Sequence, residues 1–502
     1  MAERGAVDRA IAWLSPGWAA AREKSRARLS ALQAVRAHYD GASVGRRTAG
    51  WRRVSTDANA ETGAGTLGRL RDAGRDMVRN NGHAERGVRG IAHNVVGRGI
   101  VYQFRARRLE AAARAHLDSE ACDAEQQRDL YAIQRQAIRT VVTSGEVLVR
   151  RRRRRLTDGL PLPFAMQVLE GDFIDTTRDG PVQGGGYDVL GIRFDRLGRR
   201  VGYWLYDEHP GGRSYRLPLS SLVPASDVAH VYRADRPGQV RGVTWFAPVL
   251  LRMNDWGDYE DAQLLRQKIA ACFAAFVTDP EGEDRVATTG DGTSADPARV
   301  QQFEPGMIAY LPAQKQITLA EPPGVDGYAD YSRVSLRAIA AGLGVTYELL
   351  TGDLTGVNYS SGRMGWLEFQ RSVAVWQDEQ MILQLCRKVE RWTIEAAALA
   401  GIATSPARAV WTPPRREMID PTKEVPAIRD AVRSGQTTLS EMVRSQGRDP
   451  EEHFAELAED LARIDRLGLV LDSDPRKTSR SGGATGDGAP APAEEEAAGP
   501  AD

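Results

Sequence analysis

The sequence has little cysteine and no long apolar run. Its three cysteines, Cys122, Cys272 and Cys386, lie far apart among 502 residues, which excludes a disulfide framework and any CxxC metal knuckle. A reducing compartment is the simplest environment for such a chain. No apolar run approaches the ~20 residues of a membrane helix, and the stretch MAERGAVDRAIAWL has no apolar signal core. We therefore expect neither a membrane span nor export.

The chain also lacks net charge, because 67 Lys and Arg balance 67 Asp and Glu. Proteins that hold nucleic acid statically are usually strongly basic, since their affinity comes from neutralised phosphates. If this protein meets DNA, we expect that it does not clamp it. Only six of the 67 basic residues are lysine, which we attribute to a GC-rich genome.

Common enzyme motifs are missing or stand in the wrong context. There is no GxxxxGK[ST], so we expect no ATP hydrolysis through a P-loop. The seven histidines form no HExxH and no close metal cluster, and His93 and His230 are interpreted as core residues. The GxGxxG at 63–68 and the GxSxG at 41–45 lack a preceding strand, and the first is interpreted as a flexible linker. No cofactor is expected.

Hydrophobic periodicity predicts an α+β first half. Helical spacing covers 67–79, resumes at Ala84 and ends at Gly97 and Gly99, and a long helix is predicted near 123–143. The turn at 195–198 predicts a hairpin. Strand patterns lie at 146–152, 164–169, 191–195, 201–206 and 227–232.

Residues 249–277 contain no proline and a single glycine, and predict one helix of roughly 40 Å at 1.5 Å per residue. One stripe of this helix is acidic in its first half and apolar in its second: Asp255, Asp258 and Asp261, then Leu265, Ile269, Cys272 and Phe276. In the first half, Met253, Trp256 and Tyr259 lie on the opposite side. The buried face therefore changes side midway, as expected of a helix that crosses from one layer into another.

The remaining segments are predicted from composition and spacing. A second helix is expected near 330–341, stopping at Gly342 and Gly344. The insert before it should contain a helix start at Asp296 and strands at 306–311 and 316–319. A later long helix carries Trp366, Phe369, Val373, Trp376, Leu383, Cys386, Val389 and Trp392. We further expect a helix near 20–39, short helices over 413–471, and disorder beyond Asp472.

The stretch LLTGDLTGVNYSSGRMGWLEFQR, residues 349–371, predicts a mobile, nearly uncharged loop before a helix. Ser360 or Ser361 can cap that helix. Glycines before a helix N-terminus can bind an anion, but no lysine accompanies them here. Small neutral polar side chains can instead touch a polyanion without binding it tightly. The candidate residues are Thr351, Asp353, Thr355, Asn358, Tyr359, Ser360, Ser361 and Arg363.

Six consecutive arginines occupy 150–155. On a strand, alternate side chains point to opposite faces, so some of them need a partner acid or a phosphate. A solvated strand edge is the simpler interpretation. The alternative is that Arg150, Arg152 and Arg154 contact nucleic acid or a neighbouring subunit's carboxylates.

The aspartate row of the 249–277 helix also has two interpretations. In a monomer it is a solvated helix face. In a symmetric ring, Asp255, Asp258 and Asp261 would line the lumen with fixed negative charge, which repels phosphates and keeps DNA from binding tightly.

Six stretches, in this order, resemble the lambda-type portal proteins of tailed bacteriophages: LRDAGRDMVRNNGHAERGVRGIAHNVVGRGI, SGEVLVRRR, MQVLEGDFID, GIRFDRLGRRVGYWLY, DVAHVYRADRPGQVRGVTWFAPVL and GVTYELLTGDLTGVNYSSGRMGWLEFQR. The resemblance covers most of residues 20–470. Each stretch alone is weakly specific, whereas six in register are strongly specific. The arm before Leu67 and the tail after Asp472 carry no matching motif.

The resemblance implies an α+β portal fold, assembled as a ring, usually of twelve subunits, around a central DNA channel at one capsid vertex. The implied regions are an N-terminal arm (1–66), an α+β wing (67–248), a first stem helix (249–277), a small α/β clip (278–327), a second stem helix (328–345), a tunnel loop (346–365), a long wing helix (366–405), a helical crown (406–472) and a disordered tail (473–502).

The resemblance also implies a structural protein rather than an enzyme. Its implied partners are the terminase large subunit, the major capsid or scaffold protein, the head–tail connector and double-stranded DNA, with no membrane. It would be found in the virion and, during assembly, in the host cytoplasm.

Two alternatives stay open. The first is a nucleic-acid-processing enzyme of the packaging machinery, with Asp255, Asp258 and Asp261 as metal ligands. Their spacing on one helix argues against it, because two-metal sites usually gather acids from separate strands and loops. The second is another head–tail connector or minor capsid protein.

Overall fold

The computed structural model describes residues 55–213, 216–271, 275–278, 316–319, 327–402, 408–414, 420–446, 448 and 450–469, with isolated residues between 17 and 50. Almost all of the helix predicted near 20–39, the GxSxG, the helix start at Asp296, the strand at 306–311 and the tail beyond Asp472 lie outside these residues. The chain divides into two units, Met1–Asp57 and Ala58–Asp502. All elements given below lie in the second.

The first helices are α1 (Ala58–Glu61), α2 (Ala64–Asn80) and α3 (Gly82–Val95). The Asn81 side chain accepts hydrogen bonds from the backbone N–H groups of His83 and Ala84, so one residue both ends α2 and caps α3. The linker interpretation of the GxGxxG is wrong, because Gly63 is the N-cap of α2 and the two later glycines lie inside that helix. No strand precedes it among residues 55–62.

Strand β1 (Val101–Phe104) and helices α4 (Arg107–Leu117) and α5 (Leu130–Ser144) follow. The predicted helix over 123–143 starts too early, because aspartates compete for the backbone donors that a helix needs. The Asp123 carboxylate accepts the N–H groups of Glu125 and Gln127. Asp129 caps α5 by accepting from the N–H of Ala132.

Two antiparallel sheets form the rest of the first half. Strand β2 (Glu146–Arg153) lies between β3 (Phe164–Glu170) and β9 (Val228–Tyr232). The second sheet has the order β4 (Gly180–Pro181), β5 (Tyr187–Val189), β6 (Ile192–Phe194), β7 (Arg200–Tyr206) and β8 (Ser220–Pro224). The five predicted strands and the 195–198 hairpin between β6 and β7 are confirmed.

Side chains alternate across β2 and so separate two cores. Val147 and Val149 belong to the larger core, which the helices cover, whereas Leu148 belongs to a smaller core shared with the five-stranded sheet. The larger core contains Trp245 and Trp392, both almost fully buried. Helices therefore pack on one face of the three-stranded sheet and the second sheet packs on the other, which confirms the α+β class.

The next elements are α6 (Leu250–Ala271), β10 (Ala275–Thr278), β11 (Gln316–Leu319) and α7 (Tyr328–Leu343). The single helix predicted over 249–277 is wrong beyond Ala271, because β10 pairs antiparallel with β11. Phe276, Val277 and Thr278 favour a pleated strand once a partner strand is present, and that partner lies about forty residues away in sequence. The second helix is confirmed and ends at Gly344, which has a φ of 77°.

The long helix consists of three parts: α9 (Tyr359–Trp376), a π-helix (Gln377–Cys386) and α10 (Arg387–Leu399). Leu383, one of the apolar residues that this helix carries, is 66% exposed. Met381 and Leu385 are buried instead. A π-helix has more residues per turn than an α-helix. The buried side chains therefore do not follow the spacing of 3.6 residues per turn that the sequence pattern assumes.

The residues predicted to begin the crown return to the wing, because β12 (Ala409–Thr412) pairs antiparallel with β1. The short helices predicted afterwards are confirmed as α11 (Pro421–Arg433), α12 (Leu439–Ser445) and α13 (Pro450–Arg466). Among the helices described, none combines the length and the apolar character needed to cross a bilayer.

Candidate functional site

The base of the predicted tunnel loop is a short helix, α8 (Tyr347–Thr351), which rests on α3. Arg86 donates from Nε to the carbonyl oxygen of Leu349 at 2.9 Å. A Cβ at Gly90 would lie 2.8 Å from a Leu349 methyl carbon, so this glycine lets the two helices approach closely. The Thr346 hydroxyl caps α8 by accepting from the N–H of Leu349. The loop therefore begins from a fixed position.

The loop itself is shorter and more ordered than predicted. Asp353 accepts hydrogen bonds from the Tyr347 hydroxyl at 3.1 Å and from the Thr355 N–H at 2.9 Å. These hydrogen bonds lower the pKa of the Asp353 carboxyl. The largest effect comes from the Thr355 hydroxyl, followed by the Thr355 N–H and the Tyr347 hydroxyl. Such a turn around an aspartate restricts the backbone of residues 353–355.

The predicted helix cap is wrong. Asn358, not Ser360 or Ser361, caps α9, because its side chain accepts from the N–H of Ser361 at 2.8 Å. Asn358 is the N-cap because it holds the extended backbone (φ −95°, ψ 162°) that a cap requires. Only three of the predicted loop residues thus lie between the helices: Asp353, Thr355 and Asn358. Thr351 ends α8, and Tyr359, Ser360, Ser361 and Arg363 lie in α9.

Exposed apolar side chains surround this loop. The sequence analysis had predicted a neutral polar surface and missed them. Leu354 is 70% exposed and Met364 is 73% exposed. A groove of ≈ 380 Å³ is lined by Leu354, Val357, Asn358, Tyr359, Gly362, Arg363 and Trp366. Lys423 of α11 lies over the Tyr359 ring, with its Nζ 5.8 Å from the ring centroid. Lys423 therefore contacts the first residue of α9, next to the loop.

The first half of helix α6 has the two faces that its sequence predicts, whereas the predicted change of the buried face midway does not hold for Leu265, which is exposed. Met253 and Trp256 are buried. Asp255, Asp258 and Asp261 are exposed on the other side. In the second half of the helix, Leu264 and Leu265 are 50% and 58% exposed. The Trp256 ring contacts the His83 ring at 5.2 Å, and His83 Nδ1 lies 3.4 Å from the carbonyl oxygen of Leu350, so His83 touches both the stem and the loop base.

The arginine run is divided between the two faces of β2. On the helix side, Arg151 forms ion pairs with Asp227 and with Glu395, and Arg153 pairs with Asp227 at 3.2 Å. Burial alone would raise the pKa of Asp227, but its hydrogen bonds to these two arginines lower it. The expectation that some of the run requires partner acids thus holds for Arg151 and Arg153.

A groove of ≈ 360 Å³ beside β8 is lined by all five arginines 150–154 and by Asp227, so Arg150, Arg152 and Arg154 share it with the paired Arg151 and Arg153. Within the described part of the chain, none of these three has an ion-pair partner. Burial and the neighbouring charge of Arg152 lower the pKa of Arg150. This side of the strand is therefore electrostatically unbalanced.

A fully buried ion cluster, which sequence reasoning missed, joins the elements of the wing. Glu146, at the start of β2, contacts Arg241 at 2.5 Å, Arg71 at 2.8 Å and His230 at 3.0 Å. Burial would raise the pKa of Glu146, but Arg241 and His230 hold it well below its ordinary value. An acid that opens an otherwise apolar strand, EVLV, was the available signal.

The interpretation of the two histidines is half right. His230 is a buried core residue, but only its Nε2 has a partner, Glu146, and its Nδ1 has none among the described residues. Burial lowers the pKa of His230 to about 4 against the opposing effect of Glu146. The interpretation of His93 as a core residue is wrong, because His93 lies on the exposed side of α3.

One group in the described part of the chain has the spacing of metal ligands: Glu170, Asp172 and His209. Its carboxylates already have cationic partners. Arg75 contacts Glu170 at 3.0 Å and Asp172 at 2.5 Å, and Arg71 contacts Asp172 at 3.0 Å. Two guanidinium groups at these acids would repel a metal ion. The stem aspartates form no such group within the same part of the chain.

Comparison with known proteins assigns the chain to a family. The family of phage portal proteins described as the lambda family matches residues 44–377. The chain belongs to the lambda family of phage portal proteins. This confirms the resemblance seen in the sequence and places the chain in a structural, non-enzymatic family.

Individual portal proteins are similar over most of their length. The probable portal protein of Halomonas phage phiHAP-1 is 26% identical over 434 residues, which cover 80% of this chain and 81% of that protein. The portal protein of Escherichia phage N15 is 23% identical over 477 residues (84% and 88%). Portal protein B of Escherichia phage lambda is 22% identical over 447 residues (78% and 83%).

Two solved structures are more distant. The neck of a native gene transfer agent particle, computed with C12 symmetry, aligns with a TM-score of 0.46 and 16% identity, covering 77% of this chain and 95% of that one. The crystal structure of an HK97 family phage portal protein from Corynebacterium diphtheriae aligns with a TM-score of 0.31 and 10% identity, covering 75% and 99%.

Proposed function

We propose that copies of this chain assemble into a ring, of twelve subunits, that surrounds a channel for double-stranded DNA at one vertex of a phage capsid. Membership in the lambda portal family over residues 44–377 is the observation that carries this proposal. The protein acts passively: a separate motor moves the DNA, and the channel must hold it weakly enough to let it pass.

The stem supplies the channel wall in this proposal. Asp255, Asp258 and Asp261 are exposed along one face of α6. Repeated in every subunit, they would surround the DNA with like charge, which opposes tight phosphate binding within the Debye length of roughly 8–10 Å. The exposed leucines of the same helix, Leu264 and Leu265, would pack against a neighbouring subunit.

The tunnel loop, 346–365, touches the DNA and hinders its return. Its anchored base and the turn around Asp353 would hold Leu354 and Thr355 at the most prominent position. That position is flanked by the other candidate residues, Thr351, Asn358, Tyr359, Ser360, Ser361 and Arg363. Small polar and apolar contacts give friction without charge attraction.

The partners follow from this arrangement. The clip, of which the structure describes the β10–β11 pair, would dock the terminase large subunit during packaging and the head–tail connector afterwards. The wing would contact the major capsid or scaffold protein. The protein would assemble in the host cytoplasm and remain in the virion.

Electron microscopy of the purified full-length chain tests the ring. We expect closed rings with a through-going pore. Monomers at all concentrations, or closed particles without a pore, would contradict the proposal.

A loop variant tests the tunnel loop separately. The triple variant Leu354→Gly, Thr355→Gly and Val357→Gly keeps Asn358, and therefore the cap of α9. We expect intact rings but less DNA retained in a packaging reaction with terminase. Leu197→Gly, at an exposed leucine in the β6–β7 hairpin, is the matched control. Normal DNA retention by the triple variant would refute the role of the loop.

A further inference from the structure

The unbalanced arginines on β2 lie in a recess between two strand edges. Strand β8 is the last strand of its sheet, and beyond Arg150 strand β2 pairs with β3 alone. Ser221, Leu222, Val223 and Pro224 of β8 form the opposite wall of the groove. Unpaired strand edges offer free backbone donors and acceptors to an extended peptide.

The charge in this recess is not neutralised by its own walls. Asp227 is the acid among the lining residues, and it already pairs with Arg151 and Arg153. Arg150 and Arg152 are half-buried and Arg154 is exposed. Like charges held together in a partly dehydrated recess favour binding of an anionic group.

The shape of the groove favours a polypeptide over a DNA duplex. Its volume is ≈ 360 Å³, and two of its arginines are half-buried. A rigid duplex is too wide for a recess of this size, whereas single carboxylate side chains can reach into it. Leu222, which lines the groove and is 41% exposed, gives it an apolar rim.

We propose that the acidic segment 483–502 of the same chain binds in this groove. The segment contains five acids, Asp487, Glu494, Glu495, Glu496 and Asp502, and no basic residue. In an extended peptide, Glu494 and Glu496 point to one side about 6.7 Å apart, which is also the repeat of Arg150 and Arg152 along β2. The alanines and prolines around the glutamates, APAPAEEEAAGPA, suit the leucine rim.

A long stretch of chain joins the described residues to this segment. The stretch from Leu469, the last described residue, to Glu494 spans up to about 80–90 Å when extended. A tethered segment has an effective concentration of the order of millimolar, so weak ion pairs suffice to hold it. The proposal does not depend on ring assembly.

Cross-linking in the full-length chain tests the contact. Leu222→Cys and Ala493→Cys are combined with Cys272→Ser, since Cys122 and Cys386 are buried. A short bismaleimide should join the two new cysteines within one chain, which a denaturing gel distinguishes from a dimer. Reversing the groove charge with Arg150→Glu, Arg152→Glu and Arg154→Glu should lower the yield at least about threefold, since each exposed ion pair changes an equilibrium by roughly 1.4- to 5-fold.

A charge-swap cycle makes the test specific. Glu494→Lys, Glu495→Lys and Glu496→Lys alone should lower the yield equally, and the two reversals together should restore it. Arg105→Glu, Arg107→Glu and Arg108→Glu, at three exposed arginines around the start of α4, are the matched control and should leave the yield unchanged. Circular dichroism shows whether each variant is folded.

Salt provides a second readout that needs no arginine substitution. Raising the salt concentration to about 0.5 M should lower the yield, because it shortens the Debye length. A yield independent of both charge reversals and of salt would overturn the proposal. A cross-link found only between chains would also overturn it. So would a yield that falls on addition of duplex DNA but does not change when Glu494–Glu496 are substituted, and that result would assign the groove to DNA.

Discussion

The wing and the stem differ in whether their side chains have partners within the chain. In the wing, the acid Glu146 is fully buried and contacts three cationic or polar side chains, so the groups are complete within one chain. In the stem, α6 buries Met253 and Trp256 but leaves Leu264, Leu265 and three aspartates among its exposed side chains. Glu146 therefore finds its partners within one chain, whereas the described part of the chain leaves these side chains of α6 uncovered.

The largest expected effect tests the completeness of the wing. Glu146→Gln leaves Arg241 and Arg71 buried without their carboxylate, and should lower the free energy of unfolding by about 3–5 kcal/mol. Urea denaturation followed by circular dichroism measures this. Glu85→Gln is the matched control, because it removes the exposed pair with Arg139 and should cost less than about 1 kcal/mol. Equal losses for both variants would contradict the contrast.

The next comparison is made within α6. Met253→Ala should lower the free energy of unfolding by about 2–5 kcal/mol, since this side chain is fully buried. Leu265→Ala should change it by less than about 0.5 kcal/mol, because Leu265 is exposed. Leu265→Ala should instead reduce the fraction of rings seen by size-exclusion chromatography. A Leu265 variant that loses stability but assembles normally would reverse our assignment of the two halves.

Acid should weaken the wing through its buried histidines. Burial lowers the pKa of His116 and of His230 to about 4, below the 6.5 of an unfolded chain. The unfolded state therefore binds protons first as the pH falls from about 6.5 to 4, and each histidine should remove about 1–3 kcal/mol of stability over that range. Below about 4.5, protonation of Glu146, whose folded pKa is lowered, removes more.

Denaturation curves at several pH values measure this dependence. The slope of the free energy of unfolding against pH reports the number of protons taken up on unfolding. His116→Leu should reduce that number by about one between pH 6.5 and 4. His93→Leu, at an exposed position on α3, is the control and should leave the slope unchanged. A His116→Leu protein with the original slope would exclude His116 as a source of the acid sensitivity.

The smallest expected effect distinguishes the two caps proposed for α9. Asn358→Ala should destabilise the first turn of that helix by about 1 kcal/mol, because the N–H of Ser361 loses its acceptor. Hydrogen exchange of the α9 amides measures the change. Ser360→Ala should have almost no effect, since this residue is not the cap. The opposite ranking would restore the original prediction.

The sequence predicted elements whose signal is local. The helices over α2, α3 and α7, the five wing strands and the short crown helices all follow from periodicity and from capping residues such as Asn81. The opposed faces of the first half of α6 follow for the same reason. The family resemblance, carried by six stretches in order, was also readable from the sequence.

The missed features depend on residues far apart in the chain. The end of α6 was misplaced because β10 needs β11, and β12 was missed because it needs β1. The split of the arginine run was predicted as an alternation, but its acids, Asp227 and Glu395, could not be identified from spacing. The π-helix left no signal that a 3.6-residue pattern could detect.

By itself, the amino-acid sequence determined the family, the class and most helices and strands, because each of these depends on the order of neighbouring residues. Only the tertiary structure decided which charges are buried together, where strands end and which arginines remain unpaired. The physical reason is that an ion pair or a strand pairing forms in space, between groups such as Glu146 and Arg241 that are 95 positions apart.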